Sequence, residues 1–239
     1  MRTAILSDIH GNLTALEAVL RDIRRCGVDR ILHGGDLADS GSSPAEVVDL
    51  LRAHSIDGVA GNTDELLSRP ASLEEAAERM PALLPLCAPI AEMAAASREL
   101  LGDERVAWLA SMPSELVSDQ FTLVHASPGD LWRSPRPEDP DTAFLAAFGS
   151  LGAATVVYGH THIPHLRTLP SCCVANSGSV GMPLDGDPRA GWLLFEDAQL
   201  TTFRIEYDVN AEIQRRKRSP IPHADWIVRT LGSGRPQLP

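Results

Sequence analysis

The sequence contains no run of about 18 apolar residues, so no membrane-crossing helix is expected. It is short of positive charge. Lys plus Arg is 21 against 32 for Asp plus Glu, a formal net charge of −11. Such a chain lacks the broad basic surface that drives nucleic-acid binding, and stable binding to DNA or RNA is not expected. A small phosphorylated ligand is not excluded, because a metal ion supplies positive charge locally. Cysteine is scarce and unpatterned: Cys172 and Cys173 are adjacent, and with Cys26 and Cys87 they form no C-x-x-C motif. Buried, reduced thiols in a cytoplasmic protein are the expectation. Met1-Arg2-Thr3 leads directly into an apolar stretch and does not read as a signal peptide. The 239 residues suffice for one substantial core, so a single α/β domain over 1–239 is expected.

What the sequence does contain is a set of polar loops with one chemistry. Ser7-Asp8-Ile9-His10-Gly11-Asn12 follows the apolar run Ala4-Ile5-Leu6 and precedes an amphipathic stretch. An acid and an imidazole two residues apart therefore sit in a tight loop leaving a strand. Together they form a ligand pair suited to manganese, iron or zinc. Gly11 lets the backbone turn sharply, and Asn12 has the side chain of a helix cap. Four further stretches carry the same chemistry: Gly35-Asp36, Gly61-Asn62 with Asp64, Val124-His125, and Gly159-His160-Thr161-His162.

The pattern between these loops places them. Residues 3–7 read as a buried strand, and Leu13, Leu16, Leu20 and Ile23 recur at helical spacing. Residues 30–33 read as a second strand, Pro44 opens a second helix to about Arg52, and 56–60 read as a third strand. Strand and helix alternating in this way imply parallel strands with crossover helices. Each polar loop then follows the C-terminal end of a strand, where open α/β sheets bind ligands.

Residues 66–113 are rich in Ala, Leu, Glu and Arg and broken by Pro70, Pro81, Pro85 and Pro89. They are expected to form helices beside the site, or helices that simply pack on the sheet. Residues 121–124 and 154–158 read as strands delivering His125 and Gly159-His160, with a loop at 134–141 and a helix at 142–148 between them. Strands at 172–175, 191–195 and 201–207 follow, then a helix from Asn210 and a short one near Trp226. The run Arg215-Arg216-Lys217-Arg218 reads as a solvated face, and 232–239 as a frayed end.

Asp8, His10, Asp36, Asn62, His125, His160 and His162 thus have metal-ligand chemistry, and the mixture suits two divalent ions held close together. Asp36 is the candidate bridge. Two ions about 3.5–4 Å apart can hold a hydroxide and clamp the attacking and leaving oxygens of a phosphoryl group. No protein nucleophile is then required.

The ordered set D-x-H, G-D, G-N-x-D, a lone His and G-H-x-H resembles the calcineurin-like metallophosphoesterase superfamily. The stretches SDIHGNLTALEAVL, HASPGD, GHTHIPH and NSGSVGMPLDGDPRAGW resemble its small prokaryotic phosphodiesterase branch, the last of them members described as diadenosine tetraphosphate hydrolases. The resemblance implies a four-layer α-β-β-α sandwich of two mixed sheets flanked by helices. It implies one metal at Asp8, His10, Asp36 and His162 and a second at Asp36, Asn62, His125 and His160. Manganese is the expected metal, with iron, nickel, zinc or magnesium as alternatives. It implies hydrolysis of phosphodiester or phosphoanhydride bonds in a small substrate, such as a dinucleoside polyphosphate. A phosphomonoesterase and a non-catalytic scaffold, like the retromer subunit of this fold, are the alternatives.

One position departs from the family. Many members carry His directly after the Asn, where it protonates the leaving group; here the residue is Thr63. Asn12, Asn62 and Arg189 are the candidates for touching a substrate phosphate. For Asn12, helix capping is an equal explanation, and for Arg189 pairing with Asp185 or Asp187. His33 reads as a packed structural residue, His165 as a residue near the site, and Asp64 as a support for a ligand or a helix cap.

Overall fold

The structure, a computed structural model, describes residues 1–239. Ten strands run in chain order: β1 (Thr3–Leu6), β2 (Arg30–His33), β3 (Asp57–Gly58), β4 (Glu115–Val117), β5 (Thr122–Val124), β6 (Thr155–Tyr158), β7 (His165–Thr168), β8 (Cys173–Asn176), β9 (Ala190–Glu196) and β10 (Gln199–Ile205). The helices are α1 (Leu13–Cys26), α2 (Pro44–Ala53), α3 (Asn62–Ser68), α4 (Ser72–Arg79), α5 (Cys87–Ala110), α6 (Asp141–Phe148), α7 (Val209–Arg218) and α8 (Ala224–Ser233).

The strands form two mixed sheets of five, ordered β10-β9-β1-β2-β3 and β4-β5-β6-β8-β7. β1, β2 and β3 are parallel, as are β5, β6 and β8. The layers follow from period-two alternation along each strand. In β1, Ile5 faces the second sheet, while Ala4 and Leu6 face the large cluster that includes Leu16, Val19 and Ile23 of α1. In β6, Val157 meets Ile5 and Leu32 between the sheets, while Val156 and Tyr158 pack on Phe144 and Phe148 of α6. The four-layer sandwich results.

Three expectations are corrected. The third strand shrinks to Asp57–Gly58, an edge where Val59 still donates to His33 O (3.1 Å) but Ala60 already turns to Pro113 O (2.8 Å). The basic run is not wholly solvated. Arg216 is fully buried and donates to Ser40 O (2.8 Å), Ile221 O (2.6 Å) and Pro222 O, tying α7 to the loop after β2. Burial brings its guanidinium down to about 10. The C-terminal end does not fray: Trp226 Nε1 donates to Gln237 O at 2.7 Å and Arg229 to Leu238 O at 2.6 Å. Two edge strands, β4 and β7, lie where no strand was expected. All four cysteines are free thiols, and no helix is long and apolar enough to cross a membrane.

Candidate metal centre

The loops after β1, β2, β3, β5 and β6 converge at the C-terminal ends of parallel strands, and they bring all seven expected ligands together. Backbone bonds lace these loops: Asp8 N donates to Gly35 O (2.9 Å), His10 N to Asp36 O (3.0 Å), and Gly159 N to His125 O (2.9 Å). Five of the seven occupy the left-handed region: Asp8 (φ 54°), His10 (47°), Asp36 (56°), His160 (64°) and His162 (60°). For residues other than glycine this costs of order 1–3 kcal/mol each and persists only where surroundings enforce it. Glycines leave the room these loops need to approach one another. A Cβ on Gly61 would land on the Asp36 carboxylate, and one on Gly159 on Ser7 and Asp8.

The donors fall into two groups. Ligand atoms of Asp8, His10, Asp36 and His162 all lie within 4.8 Å of one another. In the other group, Asn62 Oδ1 is 3.0 Å from His125 Nε2 and 2.9 Å from His160 Nδ1. Asp36 stands between them, with Oδ2 3.5 Å from His10 Nε2 and Oδ1 3.5 Å from His125 Nε2. Six of the seven are buried, and His160 is half-buried.

Backbone carbonyls set the imidazole tautomers. Gly34 O lies 2.7 Å from His125 Nδ1, and Met182 O lies 2.6 Å from His162 Nδ1. A carbonyl only accepts, so each Nδ1 carries the hydrogen and each Nε2 turns a lone pair inward. His125 Nε2 then faces Asn62 Oδ1 acceptor to acceptor, and His162 Nε2 faces Asp8 Oδ1 at 3.3 Å. Such an arrangement calls for a cation or a proton between the atoms.

Burial, against partly offsetting carboxylates, lowers His10 and His160 to about 4, so both are neutral ligands at pH 7. Burial alone would raise the Asp8 carboxyl. The imidazoles of His162, His125 and His10 outweigh it and hold the group well below the usual carboxylate range. For His162, burial pulls down but Asp8 and the Met182 carbonyl win, raising it. The donor set of carboxylate, neutral imidazole and amide oxygen therefore fits divalent metal ions.

Two expected substrate contacts have their polar atoms engaged within the protein. Asn12 Oδ1 accepts from Ala15 N (2.9 Å), capping α1, and its Nδ2 donates to Gly181 O (2.9 Å) and Tyr207 (3.3 Å). No polar atom remains for a phosphate. Arg189 forks onto Asp187 (2.6 Å from Nη2) and does not line the cavity over the donors. His165 is likewise engaged, 3.2 Å from Tyr158 Oη and edge-on to Phe144. Asn62 keeps its place facing the cavity. The carbonyls of Gly34 and Met182 were missed, since a backbone acceptor leaves no mark in residue type.

Residues 1–198 match the calcineurin-like phosphoesterase superfamily domain. The chain belongs to this superfamily. A metallophosphoesterase from Sphaerobacter thermophilus, known as a crystal structure, is 30% identical; the match covers 98% of this chain and 99% of that one, with a TM-score of 0.79. MJ0912 of Methanocaldococcus jannaschii, described as uncharacterized, is 28% identical over 255 residues, 97% of this chain and 98% of its own. Phosphodiesterase YfcE of Escherichia coli is 27% identical over 207 residues, 82% of this chain and 89% of its own. The phosphoesterase is thus a metal-dependent hydrolase, and its Asp/His cluster is where a metal can bind.

Proposed function

We propose that the phosphoesterase uses two divalent ions to hydrolyse phosphodiester or phosphoanhydride bonds of a small substrate. Asp8, His10, Asp36 and His162 hold one ion; Asp36, Asn62, His125 and His160 hold the other. The observation that carries this reading is Asp36, whose two oxygens each face one donor group at 3.5 Å. The mixed nitrogen and oxygen donors suit manganese. When bound, the ions polarise phosphoryl oxygens and supply water ionised near neutral pH.

The protein's own part is placement. Gly34 O and Met182 O fix which imidazole nitrogen points inward. Asn62 presents a neutral oxygen, so the second group carries less negative charge than the first. Thr63, beside it, lines the cavity but provides no acid near pH 7. Substrates whose leaving group is already a stable anion are therefore favoured, which supports phosphoanhydrides and, more narrowly, dinucleoside polyphosphates. A scaffold would have no use for imidazole nitrogens turned inward onto a shared carboxylate and an amide oxygen. The free thiols accord with a cytoplasmic setting.

Removing metal with a chelator should abolish hydrolysis of bis-p-nitrophenyl phosphate, and added Mn²⁺ should restore it. Full activity in metal-stripped protein would reject the reading.

A further inference from the structure

The donor cluster opens into a cavity of about 400 Å³. Its floor is polar, formed by His10, Asp36, Asn62, Thr63, His160 and His162. Its walls are apolar, with Leu66, Ile90, Met93, Trp226 and Leu238 prominent, and no Lys or Arg lines it. A second cavity of about 410 Å³ adjoins it and shares His160, Trp132, Leu184 and Pro236. This one is lined by Arg133 and Arg136. The cleft over the cluster is therefore two-lobed, greasy on one side and cationic on the other.

The two arginines are unusual in their surroundings. Neighbouring Arg79 and Arg167 are neutralised by Asp130 (3.0 Å) and Asp141 (3.0 Å). Arg133 and Arg136 form no ion pair, although the chain carries an excess of acid. Between them Ser134 Oγ is buried without a partner. Trp132 forms the partition. It is 7% exposed, and its Nε1 donates to Glu65 Oε2 at 2.8 Å, while Glu65 is itself held by Arg69 at 2.7 Å. The lobes are thus separated by a pinned indole rather than a mobile side chain.

A second phosphate in the apolar lobe would be buried without a counter-charge, which is costly. In the other lobe two free guanidinium forks are suited to it. The geometry points to a substrate with its scissile phosphoryl at the donor cluster, an apolar or aromatic group in the first lobe, and a second phosphate held by Arg133 and Arg136. This rests on the phosphohydrolase reading and narrows it to substrates with an apolar group on one side of the scissile phosphoryl and a second phosphate on the other. A dinucleoside polyphosphate meets the requirement with one base in the apolar lobe and the rest of its phosphate chain toward the arginines.

The test uses two chromogenic esters differing by one phosphate: thymidine 5′-(p-nitrophenyl phosphate) and its 3′-phosphorylated form. In the Mn²⁺-loaded protein the extra phosphate should raise kcat/KM by about 10-fold or more, the scale of charge-assisted hydrogen bonds. Replacing both residues, Arg133→Gln with Arg136→Gln, should erase that gain and leave the plain ester unchanged. Arg133→Lys with Arg136→Lys should restore part of it. No gain in the unaltered protein, a gain that survives the double substitution, or equal loss on both esters would overturn the subsite. If neither ester is hydrolysed by the unaltered protein, it is the phosphohydrolase reading that fails.

Discussion

The Asp64 carboxylate accepts the backbone N–H of Asp36 at 2.8 Å. The same group accepts Gly61 N (2.9 Å) and Leu37 N (3.0 Å), so one side chain clamps the loop after β2 to the start of α3. Asp36 is left-handed at φ 56°, and the clamp is what holds its amide in that conformation. Asp64 touches no expected ligand side chain, yet it orients two of the loops. Asp64→Ala leaves three buried N–H groups without acceptors. Supporting residues of this kind typically contribute about 10–100-fold to metal affinity. We expect a loss of that size, measured by competition against a chromogenic chelator. Unchanged affinity in a folded variant would remove Asp64 from the account.

Thr63 sits where a family histidine would protonate the leaving group, and its hydroxyl is buried without a hydrogen-bond partner. General acid catalysis is typically worth about 10²–10⁴-fold. Without it, kcat/KM should fall steeply as leaving-group pKa rises across a series of esters of one phosphate. Thr63→His should flatten the series. A flat series in the unaltered protein would mean that another group already donates the proton.

His33 gives a pH dependence of stability with a defined sign. Burial lowers its imidazole to about 4, against 6.5 for an exposed histidine, outweighing an opposing backbone contact with Val59. The folded state therefore excludes a proton that the unfolded chain accepts. Its contribution is intact above pH 6.5 and is lost as pH falls to 4, by about 3 kcal/mol at 1.36 kcal/mol per pKa unit. Urea unfolding of chelated protein at pH 8 and pH 4.5 should show at least that loss, since buried His10 and His160 add to it, and His33→Phe should show a loss smaller by the His33 share. Equal losses in the two proteins would mean that His33 takes up a proton in the fold.

Much of this was legible in the sequence, and the boundary has physical causes. The β1-α1-β2-α2 order follows from apolar spacing, because Leu16 and Ile23 must face Ala4 and Leu6 across a single core. The seven donors could be named because their residue types carry the chemistry. Backbone conformation could not be read, since nothing in the letters Asp or His announces a left-handed residue. The edge strands were hidden because β7 buries no residue and leaves its one aliphatic side chain, Leu166, exposed, and β4 is three residues long. Arg216 was misplaced for a different reason. A basic run looks uniform in sequence, and only the fold reveals that one of its members reaches the carbonyls of Ser40 and Ile221. Asn12 was assigned two roles by its type; the helix cap takes its oxygen, and Gly181 O and Tyr207 take the amide hydrogens a phosphate would need.

The central claim is that two ions share Asp36. Equilibrium dialysis with Mn²⁺, read by elemental analysis, tests it directly on three proteins. The unaltered protein should hold two ions per chain, and His162→Ala should weaken mainly one. Asp36→Asn, which replaces one of the two oxygens and removes the negative charge that both groups face, should weaken both sites and drop the content to one or none. Two tightly held ions in Asp36→Asn protein would contradict the account.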